Sequence, residues 1–223
     1  TPPKVNRVPK IPRLAENNVR TGFLENGQFE KIIVHCPELW FRAIVEVGRT
    51  YGWRVGELRQ LRVRQVDLLG KVIRLDPGTT KNRDGREVSM TQNVYALLAA
   101  CVSGKQPDDF VFTRPDGTPV LSFKKTWRNA CVAAGVPNLL VHDLRRTAAR
   151  NLRRAGVAEG VIMKIGGWRT RSVFERYAIV SQTDIAEALR KLEVQQNGHS
   201  VGHSADSEPD SSENASKPKS LSQ

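Results

Sequence analysis

The chain has 223 residues, with 35 Lys and Arg against 23 Asp and Glu, a formal charge of +12 and a pI near 10.1. That length suits one domain with a substantial core or two small ones, and the cationic surplus points to a polyanion, since each phosphate neutralised by Lys or Arg releases condensed counterions. No apolar run is long enough to span a bilayer and the start of the chain lacks the layout of a signal peptide, so a membrane location is excluded and a cytoplasmic one expected.

Residues 1–20 mix prolines with basic side chains and lack helical periodicity, which reads as an extended basic linker able to lie along a phosphate backbone. A folded region is expected over 21–194. Apolar residues at three- and four-residue spacing predict helices over 29–36 and 39–51, with Pro37 at the entrance to the second. A short helix after Trp53 would place Val55, Leu58 and Leu61 on one face. Alternating segments over 66–69, 71–75 and 86–90, separated by Gly70 and by Asn82-Arg83-Asp84-Gly85, predict a three-stranded antiparallel sheet. Helical text resumes over 92–101, 123–134, 143–155, 157–165, 172–177 and 183–192, and Gly104, Gly135 and Gly156 fit helix ends. The fold class is therefore α+β, mainly α-helical. From 195 to 223 the text is polar and almost free of large apolar residues, so a disordered tail is expected there. That tail carries more acids than lysines, which leaves the folded part more basic than the whole.

Cys36, Cys101 and Cys131 are far apart, odd in number and set in apolar helical text, without CxxC or Cys/His ligand spacing. They read as reduced core residues rather than a zinc site or a disulfide framework. The chain also lacks a glycine-rich phosphate loop and a carboxylate cluster suited to paired magnesium ions, so neither a metal nor another cofactor is expected.

Five motifs follow one another in order. They are Arg54-Val55-Gly56-Glu57-Leu58, Thr80-Lys81 ahead of Arg86-Glu87-Val88, His142-Asp143-Leu144-Arg145-Arg146-Thr147-Ala148, Gly166-Gly167-Trp168 and Glu175-Arg176-Tyr177. Each alone is modest, but in this order and setting they resemble the catalytic domain of the tyrosine recombinase (phage integrase) family, over about residues 18–192. The resemblance implies a double-stranded DNA substrate and in-line attack of a tyrosine on phosphorus, giving a 3′-phosphotyrosine and a free 5′-hydroxyl. Because one phosphoester replaces another, neither ATP nor a metal is called for.

The resemblance assigns roles residue by residue. Arg54 and Arg145 match the two arginines that hold the non-bridging oxygens, a task suited to a planar guanidinium that stays charged. Tyr177 matches the nucleophile, whereas Tyr51 and Tyr95 lie in apolar helical contexts that suit packing. His142 matches the histidine that takes or returns a proton. Lys81 matches the general acid on the hairpin that protonates the departing 5′-oxygen. Trp168 stands where most members carry a second histidine; an indole donates one hydrogen bond and shuttles no proton, which leaves proton transfer to His142, Lys81 and water. Glu57, one helical turn from Arg54, would orient a catalytic cation or His142. Arg83, Arg86, Arg146, Arg169 and Arg171 are expected to contact DNA.

The function so implied is site-specific recombination that integrates or excises a phage or related mobile element, with a homotetramer on DNA assembled through the helix at 183–192. A type IB topoisomerase-like enzyme shares the chemistry but acts alone, and a non-catalytic DNA-binding relative would keep only the fold. Full-length members carry a core-binding domain ahead of the catalytic one, so this chain is expected to be the catalytic portion, with weak and strongly salt-dependent DNA binding.

Overall fold

The computed structural model describes residues 22–77, 85–177, 180 and 182–199. The chain divides into two compact units, one through Ile179 and one from Val180 onward. The first unit opens with α1 (Asn26–Val34) and α2 (Leu39–Tyr51). Helix α2 buries Trp40, Phe41, Ala43, Ile44, Val45 and Val47, an apolar surface on nearly every side that suits only the centre of a core. It packs against α4 (Gln92–Val102) and α6 (Asp143–Arg154). Burial of each large apolar side chain there contributes about 1.5–3 kcal/mol. A left-handed Gly52 (φ 69°) ends α2 and turns the chain toward the short helix α3 (Val55–Arg59).

The sheet is antiparallel in the order β1 (Val66–Asp67), β2 (Val72–Leu75), β3 (Arg86–Ser89). Its register pairs Val66 with Ile73 and Ile73 with Val88. Ile73, Leu75 and Val88 turn into the core, while Arg74 on the other face pairs with Glu87 at 2.6 Å and Asp67 at 2.9 Å. Strand β1 stops two residues short of the expected 69, because the Asp67 carboxylate accepts the Gly70 N–H at 2.8 Å and bends the chain there. The Tyr51 hydroxyl donates to the Ser89 carbonyl at 2.8 Å and accepts from Thr91 N–H at 3.3 Å, tying α2 to the end of β3. Burial pushes this phenol up to about 12, so it stays neutral and structural.

Between α4 and α5 (Lys124–Ala133) the chain is irregular. It is held by the Lys105 ammonium, which donates to the carbonyls of Phe110 and Val111 and to the Thr113 hydroxyl at 2.8–3.1 Å. Trp127, 2% exposed, donates its indole N–H to the Leu139 carbonyl at 2.9 Å. After α6 come α7 (Glu159–Gly166) and α8 (Arg171–Glu175). Ala149, Ile162, Trp168 and Phe174 form a second, smaller core among these helices, with Tyr177 packed at its edge. The second unit contains α9 (Gln182–His199), which continues past the expected boundary at 194 into what reads as polar tail. Extending a formed helix costs far less than starting one, so a few glutamines can prolong it without apolar content.

Cys36, Cys101 and Cys131 are free and buried. Among the described residues no helix is long and apolar enough to cross a membrane.

Candidate active site

The first anchor of the site is Arg145. Its position inside α6 aims the side chain into the space between the two cores, where the residue is 2% exposed. There Nη1 donates to the carbonyl of Gly166 at 2.6 Å and to that of Gly52. Both carbonyls end helices at glycine-rich turns, and both are neutral, so they hold the guanidinium without cancelling its charge. Its Cζ lies 3.9 Å from the centroid of the Trp168 ring and 5.3 Å from that of Tyr177. Burial, and then the nearby Arg54, push Arg145 down to about 10, which still leaves it charged at neutral pH. Its Nη2 is buried and has no hydrogen-bond acceptor among the described residues.

Arg54 precedes the first turn of α3. Glu57 reaches back from that turn, accepting the Arg54 N–H at 2.9 Å on Oε2 and the Arg54 Nη1 at 3.1 Å on Oε1. This is the arrangement in which a Glu at the third helical position satisfies an orphan N–H of the helix start. The Glu57 side chain is 3% exposed and that of Arg54 25%, so the carboxylate lies beneath while the guanidinium reaches the surface.

His142 and Tyr177 meet at the mouth. His142 is the cap residue just before α6, and Tyr177 lies just past α8, where its N–H closes on the Phe174 carbonyl at 2.8 Å. His142 Nε2 and the Tyr177 hydroxyl are 2.9 Å apart. Their rings stand 5.3 Å apart, edge to face. Although residue 142 is exposed overall, partial burial of its imidazole, followed by the Arg145 charge, lowers its pKa below the ordinary 6.5. The ring is therefore neutral near pH 7 and able to accept a proton.

Trp168 lies under Tyr177, 4% exposed, with ring centroids 5.7 Å apart. Phe174 meets its edge at 5.3 Å. The indole Nε1 is buried and, among the described residues, has no acceptor. A Cβ at Gly166 would overlap the Trp168 ring, and Gly167 (φ 66°) ends α7 in the left-handed region. Each glycine of the pair thus has its own steric reason.

Arg54, Glu57, His142, Arg145, Trp168 and Tyr177 therefore come together. Arg86, expected as a DNA contact, is largely enclosed: its side chain is 8% exposed, and its Nη2 lies 2.8 Å from Glu57 Oε2. Arg146 is half-buried and Arg169 exposed. Arg171 is 73% exposed and pairs at 3.3 Å with both Glu159 and Glu175. Lys81 and Arg83 lie outside the described residues. Two parts of the site escaped sequence reasoning, namely the carbonyls of Gly52 and Gly166 that cradle Arg145, and the Trp53 indole, which donates to the Ile165 carbonyl at 2.9 Å and steadies the turn before Trp168. Backbone acceptors leave no trace in side-chain motifs.

The chain is thus mostly helical, with a three-stranded sheet and a Tyr-His pair beside a buried arginine. The profile of the phage integrase family matches residues 22–183, and the chain belongs to that family. It is 28% identical over 195 residues to the integrase of Salmonella phage P22, a match covering 82% of this chain and 50% of that protein. It is 24% identical over 183 residues to the tyrosine recombinase XerA of Saccharolobus solfataricus, covering 82% of this chain and 60% of that protein. The fold is similar to that in the crystal structure of XerA recombinase, with a TM-score of 0.65 and 24% identity, over 88% of this chain and 67% of that one. The chain thus spans about 50–60% of the length of these curated relatives.

Proposed function

We propose that this chain cuts and rejoins DNA strands as the catalytic portion of a site-specific recombinase. The observation that carries this reading is the 2.9 Å pairing of His142 Nε2 with the Tyr177 hydroxyl directly beside Arg145. A phenol is a weak nucleophile unless a partner takes its proton, and a neutral imidazole is already within reach.

In the step so supported, the Tyr177 oxygen bonds to phosphorus as its proton passes to His142. The bond from phosphorus to the 5′-oxygen breaks, leaving a 3′-phosphotyrosine. Arg54, Arg145 Nη2 and Trp168 Nε1 supply donors to the non-bridging oxygens as charge builds there, the kind of preorganised stabilisation worth about 3–4 kcal/mol per donor. Lys81 is assigned, by its match to the family motif, to protonate the departing 5′-oxygen. Rejoining is the reverse, so the phosphoester energy is conserved.

Helix α9 has Ile185, Leu189 and Leu192 at helical spacing, 45–57% exposed, a stripe suited to docking on another copy. A tetramer on two duplexes, assembled through this helix, is the corresponding assembly, and integration or excision of a mobile element the corresponding process.

A nicked suicide substrate, which loses its short 5′-hydroxyl fragment and traps the intermediate, tests the chemistry. Wild type is expected to form an adduct stable in denaturing electrophoresis, and Tyr177→Phe none. An adduct that survives Tyr177→Phe, or none with wild type on its own site, overturns the reading.

A further inference from the structure

Among the cations of this domain Arg86 stands out, because strand β3 carries it and yet it is enclosed, with 8% of its side chain exposed beside a Glu57 side chain that is 3% exposed. It touches two parts of the site at once. Its Nη2 is 2.8 Å from Glu57 Oε2, the oxygen that also accepts the Arg54 N–H at 2.9 Å. On its other side the guanidinium lies against the bare Cα of Gly167, so closely that a Cβ there would overlap it. Its Cζ is also 5.8 Å from the Trp53 ring, whose indole N–H holds the Ile165 carbonyl in the same turn.

We propose that Arg86 is a positioning residue for strand transfer, clamping Glu57 from the side opposite Arg54 and bracing the Gly166-Gly167 turn from which Trp168 projects. This rests on the proposed strand-transfer function. Alone beneath Arg54, Glu57 could follow the long, partly exposed Arg54 side chain through several rotamers, and Arg54 would carry that freedom into the site. A second guanidinium, packed between Glu57 and Gly167, adds an ion-pair contact to Oε2 and so restricts the carboxylate while Oε1 is presented to Arg54 Nη1 at 3.1 Å. A lysine could supply charge there, but no planar surface to stack on the turn. Arg86 reaches neither the Tyr177 hydroxyl nor its His142 partner in any contact of the structure, so it acts through Arg54 and the turn.

The test uses the whole chain, a suicide substrate at saturating concentration and single-turnover rates, with Arg86→Met, Arg86→Lys, Arg54→Lys and the double variant Arg54→Lys/Arg86→Met. Arg86→Met is expected to slow adduct formation by about tenfold to a hundredfold, the usual effect of removing an outer partner of a site, with the half-saturating DNA concentration unchanged. Arg86→Lys should recover part of the rate. In the Arg54→Lys background Arg86→Met should cost much less than it does alone, because residues acting as a unit are not additive. Should Arg86→Met fail to fold, the comparison rests on Arg86→Lys, alone and combined with Arg54→Lys. The inference is overturned by an unchanged rate, by a loss confined to DNA affinity, which would make Arg86 a DNA contact, or by losses that simply add. Absence of an adduct with wild type would instead sink the strand-transfer function itself.

Discussion

Replacing Gly167 by alanine tests whether the Arg86 guanidinium is seated against the turn before Trp168. Two costs combine there. The backbone has φ 66°, and a left-handed conformation costs a residue with a Cβ about 1–2 kcal/mol. The added methyl would also overlap Arg86, far inside the 3.0 Å that real Cβ contacts respect. The guanidinium has no open direction, since its side chain is 8% exposed and Glu57 lies on the opposite side. It must therefore leave its 2.8 Å contact with Glu57 Oε2. Breaking a buried ion pair costs about 3–5 kcal/mol, and because Glu57 keeps Arg54 the lower end applies, for a sum of about 4–5 kcal/mol. Gly135→Ala supplies the reference: its φ is 75°, but nothing lies within 4 Å of the added Cβ, so only the backbone cost of about 1–2 kcal/mol remains. Urea denaturation followed by circular dichroism measures both. Gly167→Ala should lose at least about 2 kcal/mol more than Gly135→Ala, a difference well outside the error of the method. Equal losses would show that Arg86 yields freely and that the turn does not depend on it.

Four further outcomes follow from the same structure. Burial and Arg145 disfavour the His142 imidazolium, so the acid limb of the adduct-formation profile should have its midpoint below 6.5; a midpoint at or above that value would contradict the environment described. By the same sign the unfolded chain binds this proton more readily, so stability declines as pH falls from 6.5 through the lowered folded value, and His142→Asn removes that part of the decline. Burial raises the Cys36 thiol and pushes those of Cys101 and Cys131 up to about 11 and about 12; iodoacetamide at pH 8 should modify none quickly in the native protein and all three in guanidinium, as read by mass spectrometry. Trp127→Phe removes the donor to the Leu139 carbonyl and leaves that acceptor buried, at a cost of about 1–3 kcal/mol in denaturant titration, whereas an unchanged midpoint would mean that the carbonyl finds another partner.

Helix α2 was legible to the residue, Leu39–Tyr51, because its apolar periodicity is dense and Gly52 supplies a stop. The site's membership was legible only through its motifs in order. Nothing in the spacing of His142 and Tyr177 says that three helices and the turns between them bring Nε2 within 2.9 Å of a hydroxyl. That Arg86 is largely enclosed was not read from the sequence for a different reason. Most basic residues in a cationic chain face water, yet strand alternation puts position 86 on the same side as Val88, which is 7% exposed, and that period-two signal could have turned it inward. The stretch around Val111, Phe112 and Val120, all at most 1% exposed, offered no comparable clue, because irregular backbone buries side chains without a period.

The charge balance explains why a site proposed to act on a phosphodiester contains a carboxylate at all. Three guanidiniums, those of Arg54, Arg86 and Arg145, would repel one another strongly if packed together unaided. Arg145 is held by neutral carbonyls, and among the described residues Glu57 bridges the other two. If Glu57 faced Arg54 alone, that pair would be nearly neutral and Arg54 would have little field left for a substrate oxygen. Shared between two cations, the one carboxylate permits close packing while leaving an excess positive charge at the mouth, where Arg54 remains 25% exposed. Replacing Glu57 by glutamine would on this argument raise the local charge yet slow strand transfer, because Arg54 would gain field and lose its fixed direction.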